Sequence, residues 1–212
     1  MIRLFLAFTS FLPLKVNHSF GSFIGHLLYL FNSEAKIVSK QNLEICFPGL
    51  SELELKSLLK KVLTETGKGL TESGLIWNQN FTDNAKLIRN INGEHYLDSS
   101  KKTILLVPHT GCWEITGRVL AEKRKVTFMY RPLRSNKQND YLFSRRNQGN
   151  LTMASADKSG ILKIQRARNS GDLVGMLPDQ DPGKEGGLVV PFFSQRVNTM
   201  TLLASIAKKH NA

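Results

Sequence analysis

Apolar positions dominate the first part of the chain. Residues 4–14 form an apolar run of eleven, and after Lys15 an uncharged stretch covers residues 16–33. Pro13 interrupts the first run, and neither piece supplies the roughly 20 strongly apolar residues that a transmembrane helix needs. We therefore expect residues 1–32 to be a retained helical segment that lies in, or shallowly anchors to, a membrane interface. An ordinary buried helix is the alternative.

A regular helical pattern follows. Ser51 and Glu54 have the spacing of a capping box, which predicts the start of a long helix that extends to about Trp77. Apolar residues recur on one face at the helical period, and lysines occupy much of the remaining surface. The apolar positions are Leu55, Leu58, Leu59, Val62, Leu63 and Leu70. Three glycines, at positions 67, 69 and 74, weaken the prediction for the later turns.

From about residue 100, short apolar runs alternate with helical patterns. The runs at 103–107, 126–130, 172–177 and 188–190 predict strands, the first of them a buried one. Helices are predicted at 113–123, 137–147, 159–169 and 201–209, the third of them closed by Gly171. This alternation predicts an α/β sheet domain behind a helical N-terminal region. Because the chain stops after a helix, where such a fold returns to a strand, we expect the sequence to be truncated.

Charge and cysteine content narrow the possible partners. The chain carries 29 Lys and Arg against 17 Asp and Glu, a formal net charge of +12. Such a surface attracts nucleic acid, anionic lipid or an acidic carrier protein, and charge alone does not choose among them. Cys46 and Cys112 lie far apart without metal-ligand spacing, so they indicate neither a disulfide framework nor a zinc site.

The strongest chemical signal is a His and a carboxylate, His109 and Glu114, directly after a predicted strand. On one continuous helix these side chains would diverge by about 140°. They can meet if His109 lies in the loop and Glu114 in the first helical turn, with Gly111 permitting the tight turn between them. The carboxylate could then hold the imidazole tautomer and leave the other ring nitrogen as a general base. The alternative is an ordinary loop His and a Glu that favours the helix dipole.

Two further segments could contribute to a site. Arg131 and Arg134 follow the second strand and begin a basic stretch that reaches Arg146. This stretch could bind phosphates or form a solvated basic face. Asp179 and Asp181 follow the strand at 172–177. Their spacing fails the pattern of a calcium loop, and at a strand end it directs them to opposite faces, so only one of them can enter a shared site. A plain Pro-Gly turn is the alternative.

Together these segments resemble the late acyltransferases of lipid A biosynthesis, the lauroyl/myristoyl transferase family, which is lysophospholipid acyltransferase-like. The family's His-x4-Glu motif is similar to His109–Glu114, with Cys112 in place of the usual Asn. The other matching elements, in chain order, are the apolar N-terminus, Asn42-Leu43 to Phe47-Pro48, Tyr130-Arg131-Pro132, Arg146, Pro178-Asp179-Gln180-Asp181 and Val189-Val190-Pro191-Phe192-Phe193. Family members extend well beyond this chain's last residue.

The resemblance implies a glycerolipid-acyltransferase-like α/β fold, with a mixed sheet flanked by helices behind a membrane-anchoring helical segment. Residues 1–32 would associate with the membrane, and residues 33–212 would form the acyltransferase domain without its C-terminal part. The implied catalytic residues are His109 as general base, Glu114 as its partner, and Arg146 and Asp179, which shape the site. The implied substrate-binding residues are Arg131, Arg134, Asp181, Phe192 and Phe193, the last two as an acyl channel or as core packing. No metal and no cofactor are implied.

The implied reaction moves a fatty acyl chain from acyl-acyl carrier protein to a hydroxyl of a lipid A precursor. It would contribute to lipopolysaccharide biosynthesis at the cytoplasmic face of the bacterial inner membrane, in contact with membrane lipids. A different glycolipid or a lysophospholipid is the alternative acceptor. A non-enzymatic basic protein that binds membranes or nucleic acid is the alternative of another class. It would give salt-dependent binding and no role for His109. We expect no nucleic acid partner, because the sequence shows no known nucleic-acid-binding module.

Overall fold

The computed structural model describes residues 2–97, 103–133, 135–183 and 186–209. The chain forms two compact units, divided between Asn78 and Gln79, with the segment Val190–Val197 belonging to the first unit. The functional assignment of residues 1–32 and 33–212 concerns membrane association and catalysis rather than packing, and it stays a prediction.

The first unit is helical. Its helices are α1 (Ile2–Ser10), α2 (Leu14–Leu30), α3 (Glu34–Cys46) and α4 (Glu52–Asn78). Pro13 stands between α1 and α2, where its missing N–H costs no hydrogen bond. The predicted capping box is confirmed, because the Ser51 backbone N–H donates to Glu54 Oε2 at 2.9 Å and the Glu54 N–H donates to Ser51 Oγ at 3.4 Å.

Glycines bring α2 and α4 unusually close together. A Cβ atom at Gly25 would lie 2.4 Å from the carbonyl oxygen of Leu63, and one at Gly67 would lie 2.1 Å from the carbonyl oxygen of Gly21. Backbone therefore packs against backbone, as in the small-residue contacts common between membrane helices. Gly67, whose low helix propensity counted against α4 in the sequence, is placed where only a hydrogen fits.

Many apolar side chains of the first two helices and their connections remain exposed. They include Ile2, Leu4, Phe8, Phe11, Leu14, Val16, Phe23, Leu30 and Phe31. Among the described residues, no helix combines the length and the hydropathy needed to cross a bilayer. The interfacial location of this segment stays a prediction.

The second unit alternates helices and strands, as predicted. It contains β1 (Ile104–Leu106), α6 (Glu114–Lys123), β2 (Val126–Tyr130), α7 (Asn136–Arg146), β3 (Leu151–Ser155), α8 (Lys158–Asn169), β4 (Leu173–Met176) and α9 (Leu202–Lys209), preceded by α5 (Phe81–Ala85) and a 3₁₀ turn at Glu94–Leu97. Strands β5 (Leu188–Phe192) and β6 (Gln195–Thr199) pair in a separate two-stranded sheet. The sequence did not predict β3 or β6.

Four strands form the central sheet in the order β1-β4-β2-β3, and all three pairs are parallel. The expected mixed sheet is therefore wrong for these strands, whose helical crossovers return each strand in the same direction. The prediction that β1 is buried is also wrong in part. Within the described part of the chain this strand lies at the edge of the sheet, and Leu106 is 60% exposed.

Alternate residues of the inner strands enter two hydrophobic cores. Phe128 packs on one face of the sheet with Leu120 and Ala121 of α6, and the next residue, Met129, packs on the other with Ile164 of α8. Both faces of β2 and β4 are covered, which explains why these strands appear in the sequence as continuous apolar runs. The carboxyl ends of the parallel strands lie at one edge of the sheet, and the loops that follow β1 and β4 there carry His109 and Asp179.

Candidate active site

The register of β1 and β4 brings His109 and Asp179 together. Leu106 pairs with Met176, and the Val107 N–H donates to the Met176 carbonyl oxygen at 2.9 Å. From this pair, the segment after β1 reaches His109 in three residues and the segment after β4 reaches Asp179 in three residues. Two residues that lie 70 positions apart in the sequence therefore meet because each follows its paired strand by the same count.

The Asp179 carboxylate makes two hydrogen bonds with His109. Oδ2 accepts from the His109 backbone N–H at 2.7 Å, and Oδ1 lies 2.7 Å from the ring Nδ1. Because an ionised carboxylate only accepts, Nδ1 carries the proton and Nε2 of the neutral ring presents a lone pair. This is the tautomer that a general base requires.

Asp179 itself is biased toward the charged form. Partial burial raises the pKa of this carboxyl, but the hydrogen bonds and charge of His109 outweigh that effect and hold the pKa below its ordinary value. The two side chains are 28% and 38% exposed, so both are partly accessible from solvent.

The free face of the imidazole is bordered by Gln180 and Trp113. The Gln180 side-chain nitrogen lies 3.3 Å from His109 Nε2, and the Trp113 ring packs edge-on with its centroid 4.9 Å from that of the imidazole. Gly111 adopts a positive φ of 55° in this loop, which confirms the turn predicted between His109 and Glu114.

Glu114 forms an ion pair with Arg146. Glu114 begins α6 and Arg146 ends α7, the helix ends that favour a negative and a positive charge respectively. The guanidinium donates from Nε to Glu114 Oε2 at 3.1 Å and from a terminal nitrogen to Oε1, which gives the two-pronged geometry of a strong pair. Arg146 also lies over the Trp113 ring at 5.5 Å. The sequence predicted Glu114 as the partner that holds the tautomer, whereas the carboxylate bonded to Nδ1 is Asp179.

Arg118 is a residue that sequence reasoning missed. It lies one turn after Glu114 and is only 1% exposed. Its guanidinium donates to the carbonyl oxygens of Gln79 (3.0 Å) and Arg145 (2.7 Å) and to Asn84 Oδ1 (3.2 Å). Burial lowers its pKa to about 10, so it stays charged at neutral pH. The bond to Arg145 fixes the end of α7 and so helps to place Arg146.

A cavity of about 830 Å³ opens beside these residues, and it is mostly apolar. The size suits a small-molecule or lipid-chain ligand. Its apolar lining includes Phe128, Met129, Leu151, Met153, Met176 and Met200, and its polar lining includes His109, Glu114, Arg131, Arg146, Gln180 and Asp181. A general base beside an apolar cavity can activate a hydroxyl against a reactive group that carries a hydrocarbon chain. Flexible methionines adapt well to such chains.

Asp181, which also lines the cavity, and the two predicted phenylalanines make contacts of their own. Asp181 accepts from the Gly183 N–H at 3.0 Å and from Asn198 Nδ2 at 2.9 Å; these bonds and the charge of Arg131 lower its pKa. Phe192 and Phe193 belong to the first unit, where Phe193 also packs against Phe47. Their role as an acyl channel stays a prediction. Arg134 lies outside the described residues. Within the described ranges, no three metal-binding side chains come together.

Comparison with known proteins gives consistent matches. Residues 2–212 match the family model described as bacterial lipid A biosynthesis acyltransferase. The chain is 30% identical over 188 residues to the lipid A biosynthesis lauroyltransferase of Escherichia coli, a match that covers 86% of this chain and 60% of that protein. It is 27% identical to the palmitoleoyltransferase of the same organism, with the same coverage, and 26% identical to a lipid A biosynthesis acyltransferase of Haemophilus influenzae, covering 84% and 57%. The chain thus spans about 60% of the length of these relatives.

Proposed function

The chain belongs to the bacterial lipid A biosynthesis acyltransferases, and we propose that it transfers a fatty acyl group to a hydroxyl of a lipid A precursor. The observation that carries this proposal is the tautomer of His109. Asp179 Oδ1 accepts a hydrogen bond from Nδ1–H, which keeps the proton on that nitrogen, and Nε2 presents its lone pair beside a mostly apolar cavity.

The proposed donor is acyl-acyl carrier protein. His109 Nε2 removes the proton of the acceptor hydroxyl as the oxygen attacks the thioester carbonyl carbon. The carbonyl oxygen becomes an oxyanion, the carbon–sulfur bond then breaks, and the leaving thiolate takes the proton from His109. The products are an ester and a thiol, without an acyl-enzyme. Neutralising the positive imidazole that forms between the two proton transfers requires a nearby carboxylate.

In this proposal Asp179 supplies that negative charge, which is supported by the hydrogen bond between its carboxylate and the ring. Glu114 acts with Arg146, and together they form one wall of the site. Removing Glu114 would take away the carboxylate that pairs with Arg146 beside the reacting groups, so we expect Glu114 to matter although it is bonded to Arg146. Its assistance to His109, as predicted from the sequence, remains part of this proposal.

Positive charge and the cavity account for substrate binding. Arg131 lines the cavity, which supports its proposed contact with a phosphate of the acceptor, and the net charge of +12 suits an acidic carrier protein. The apolar lining would receive the acyl chain, with its thioester near His109. Arg134 is proposed for the same phosphate-binding role on sequence grounds alone.

We also propose that α1 and α2 hold the protein at the cytoplasmic face of the inner membrane. The supporting observation is the exposed aromatic surface, in which Phe11 is 85% exposed. Flotation with vesicles of anionic and neutral phospholipids tests this. The variant Phe11→Asp with Phe31→Asp should release the protein, whereas Leu53→Asp, an equally exposed apolar position on α4, should not. Equal flotation of both variants would refute this location.

The test of function is transfer of a labelled acyl group from acyl-acyl carrier protein to a lipid A precursor. The protein is expressed at its natural full length, with His109→Ala and, as a control, His95→Ala, an exposed His outside the site. We expect His109→Ala to lose about 10²- to 10⁴-fold in rate and His95→Ala to behave as wild type. Wild-type rates in His109→Ala would refute the proposed base. Transfer to a lysophospholipid or another glycolipid in place of the precursor would move the assignment to that acceptor.

A further inference from the structure

Gln180 occupies the face of His109 from which a base would act. It lies between Asp179, which bonds the other ring nitrogen, and Asp181, which faces Asn198. Its side chain is exposed and lines the cavity. The sequence did not single it out, because Gln has no titratable group and was part of no recognised catalytic pair. The inference drawn from it rests on the proposed acyl transfer.

The orientation of the Gln180 amide is fixed by the hydrogen-bond network. Since Asp179 requires the proton on Nδ1, His109 Nε2 can only accept, and the group that faces it must donate. The amide nitrogen of Gln180 meets that requirement at 3.3 Å, whereas the carbonyl oxygen would oppose a lone pair. The amide has a second N–H, and among the described residues no other hydrogen bond of this side chain is found.

When a thioester is attacked beside Nε2, the oxyanion that forms needs a hydrogen-bond donor near this position. The acceptor oxygen must lie within hydrogen-bond reach of Nε2, and the attacked carbonyl carbon directly beyond it. The acceptor oxygen would then occupy the place next to Nε2 that the Gln180 amide nitrogen now holds, and the developing oxyanion would lie close to the same place. Of the nearby hydrogen-bond donors, Arg146 directs Nε and one terminal nitrogen to Glu114, whereas the Gln180 amide uses one N–H on His109 and retains a second.

We propose that Gln180 is a catalytic residue that stabilises the oxyanion of the thioester. In the resting enzyme its amide donates to His109 Nε2. When the acceptor hydroxyl binds, it displaces this contact and gives its proton to Nε2, while the amide N–H donates to the carbonyl oxygen. As the carbon–sulfur bond breaks, the carbonyl re-forms, the thiolate takes the proton from Nε2, and the amide returns to His109.

The test is a kinetic comparison of Gln180→Met, which keeps the length of the side chain but removes both donors, with Gln180→Ser. The control is Gln138→Met, at an exposed position on α7. Removing one oxyanion donor costs about 10²- to 10³-fold in kcat. We expect both Gln180 variants to lose about 10²-fold in kcat, with KM for donor and acceptor within about threefold of wild type. Thermal midpoints should match, since the side chain is exposed.

Three outcomes would overturn the inference. A kcat within about twofold of wild type in both variants would show that the amide does not act in the transition state. A raised KM for the acceptor with an unchanged kcat would make Gln180 a ground-state binding residue. Absence of transfer by the wild-type protein would refute the proposed function, and the role of Gln180 with it, whereas the first two outcomes leave that function standing.

Discussion

Replacing Asp179 with Asn removes the negative charge beside His109 while keeping the size of the side chain. The wild-type carboxylate accepts two hydrogen bonds, one from the backbone N–H and one from the ring Nδ1, both at 2.7 Å. An amide offers only one oxygen. When that oxygen accepts the backbone N–H, the amide N–H₂ faces Nδ1 and favours the tautomer that carries its proton on Nε2. In this tautomer Nε2 has no free lone pair and can no longer act as a base.

The size of the effect can be worked from the geometry. Unit charges about 4 Å apart near a protein surface attract by about 4 kcal/mol, and this attraction would act on the imidazolium that forms during the reaction. At about 1.4 kcal/mol for each tenfold change, its loss corresponds to about 10³-fold in rate. The Asp179 side chain is 38% exposed, so water screens part of the attraction, and a loss of about 10²- to 10³-fold is expected.

The assay is steady-state acyl transfer with Asp179→Asn and Glu114→Gln measured side by side. Asp140→Asn, at an exposed position on α7, serves as the control for the change in charge. Asp179→Asn should lower kcat with little change in KM. If it keeps its rate within about fivefold while Glu114→Gln loses far more, then Glu114 and not Asp179 is the carboxylate that supports the base, and the reasoning from the Nδ1 contact fails.

Three further predictions concern stability. The pKa of Asp179 is lowered in the folded protein, so the stability that its ionised carboxylate contributes should be complete above about pH 4 and lost as the pH falls through the pKa of the folded state. In urea unfolding, the free energies of wild type and Asp179→Asn should therefore converge in acid. Gly25→Ala should destabilise the protein by about 1–3 kcal/mol, although Ala favours helices, because its Cβ would collide with the Leu63 carbonyl. Gly69→Ala has open space around it and should stabilise the protein. Equal shifts in thermal midpoint for the two variants would contradict this. Arg118→Met should cost about 3 kcal/mol by leaving three acceptors without their donor, and an unchanged denaturation midpoint would refute that role.

Local patterns predicted most of the elements, because each of them depends on neighbouring residues. The capping box at Ser51 and the apolar face that follows were enough to locate α4, and the buried run at 126–130 was enough to locate β2. β3 was missed because Leu151–Ser155 follows directly on a Gly-Asn pair and mixes small and polar residues. Its partner β2 supplies the rest of its environment, and that pairing is not a local property.

The sequence named four side chains that the structure brings close together or pairs, but it did not predict which of them contact each other. His109, Glu114, Arg146 and Asp179 were all found by motif, yet the motif joined His109 to Glu114 because they are close in sequence. The contact with Asp179 depends on β4 lying beside β1, which follows from the order of the strands in the sheet. Arg118 was missed because its role depends on three acceptors that only the fold brings together.

The pairing of β1 with β4 has a consequence for how such chains can change over time. His109 and Asp179 each follow a paired strand residue by three positions, so an insertion within 104–109 or 174–179 would separate these two side chains. Insertions between residues 131 and 150 leave both counts intact. The length of the intervening helices and loops can therefore vary without separating His109 from Asp179, while two short segments keep a constant length.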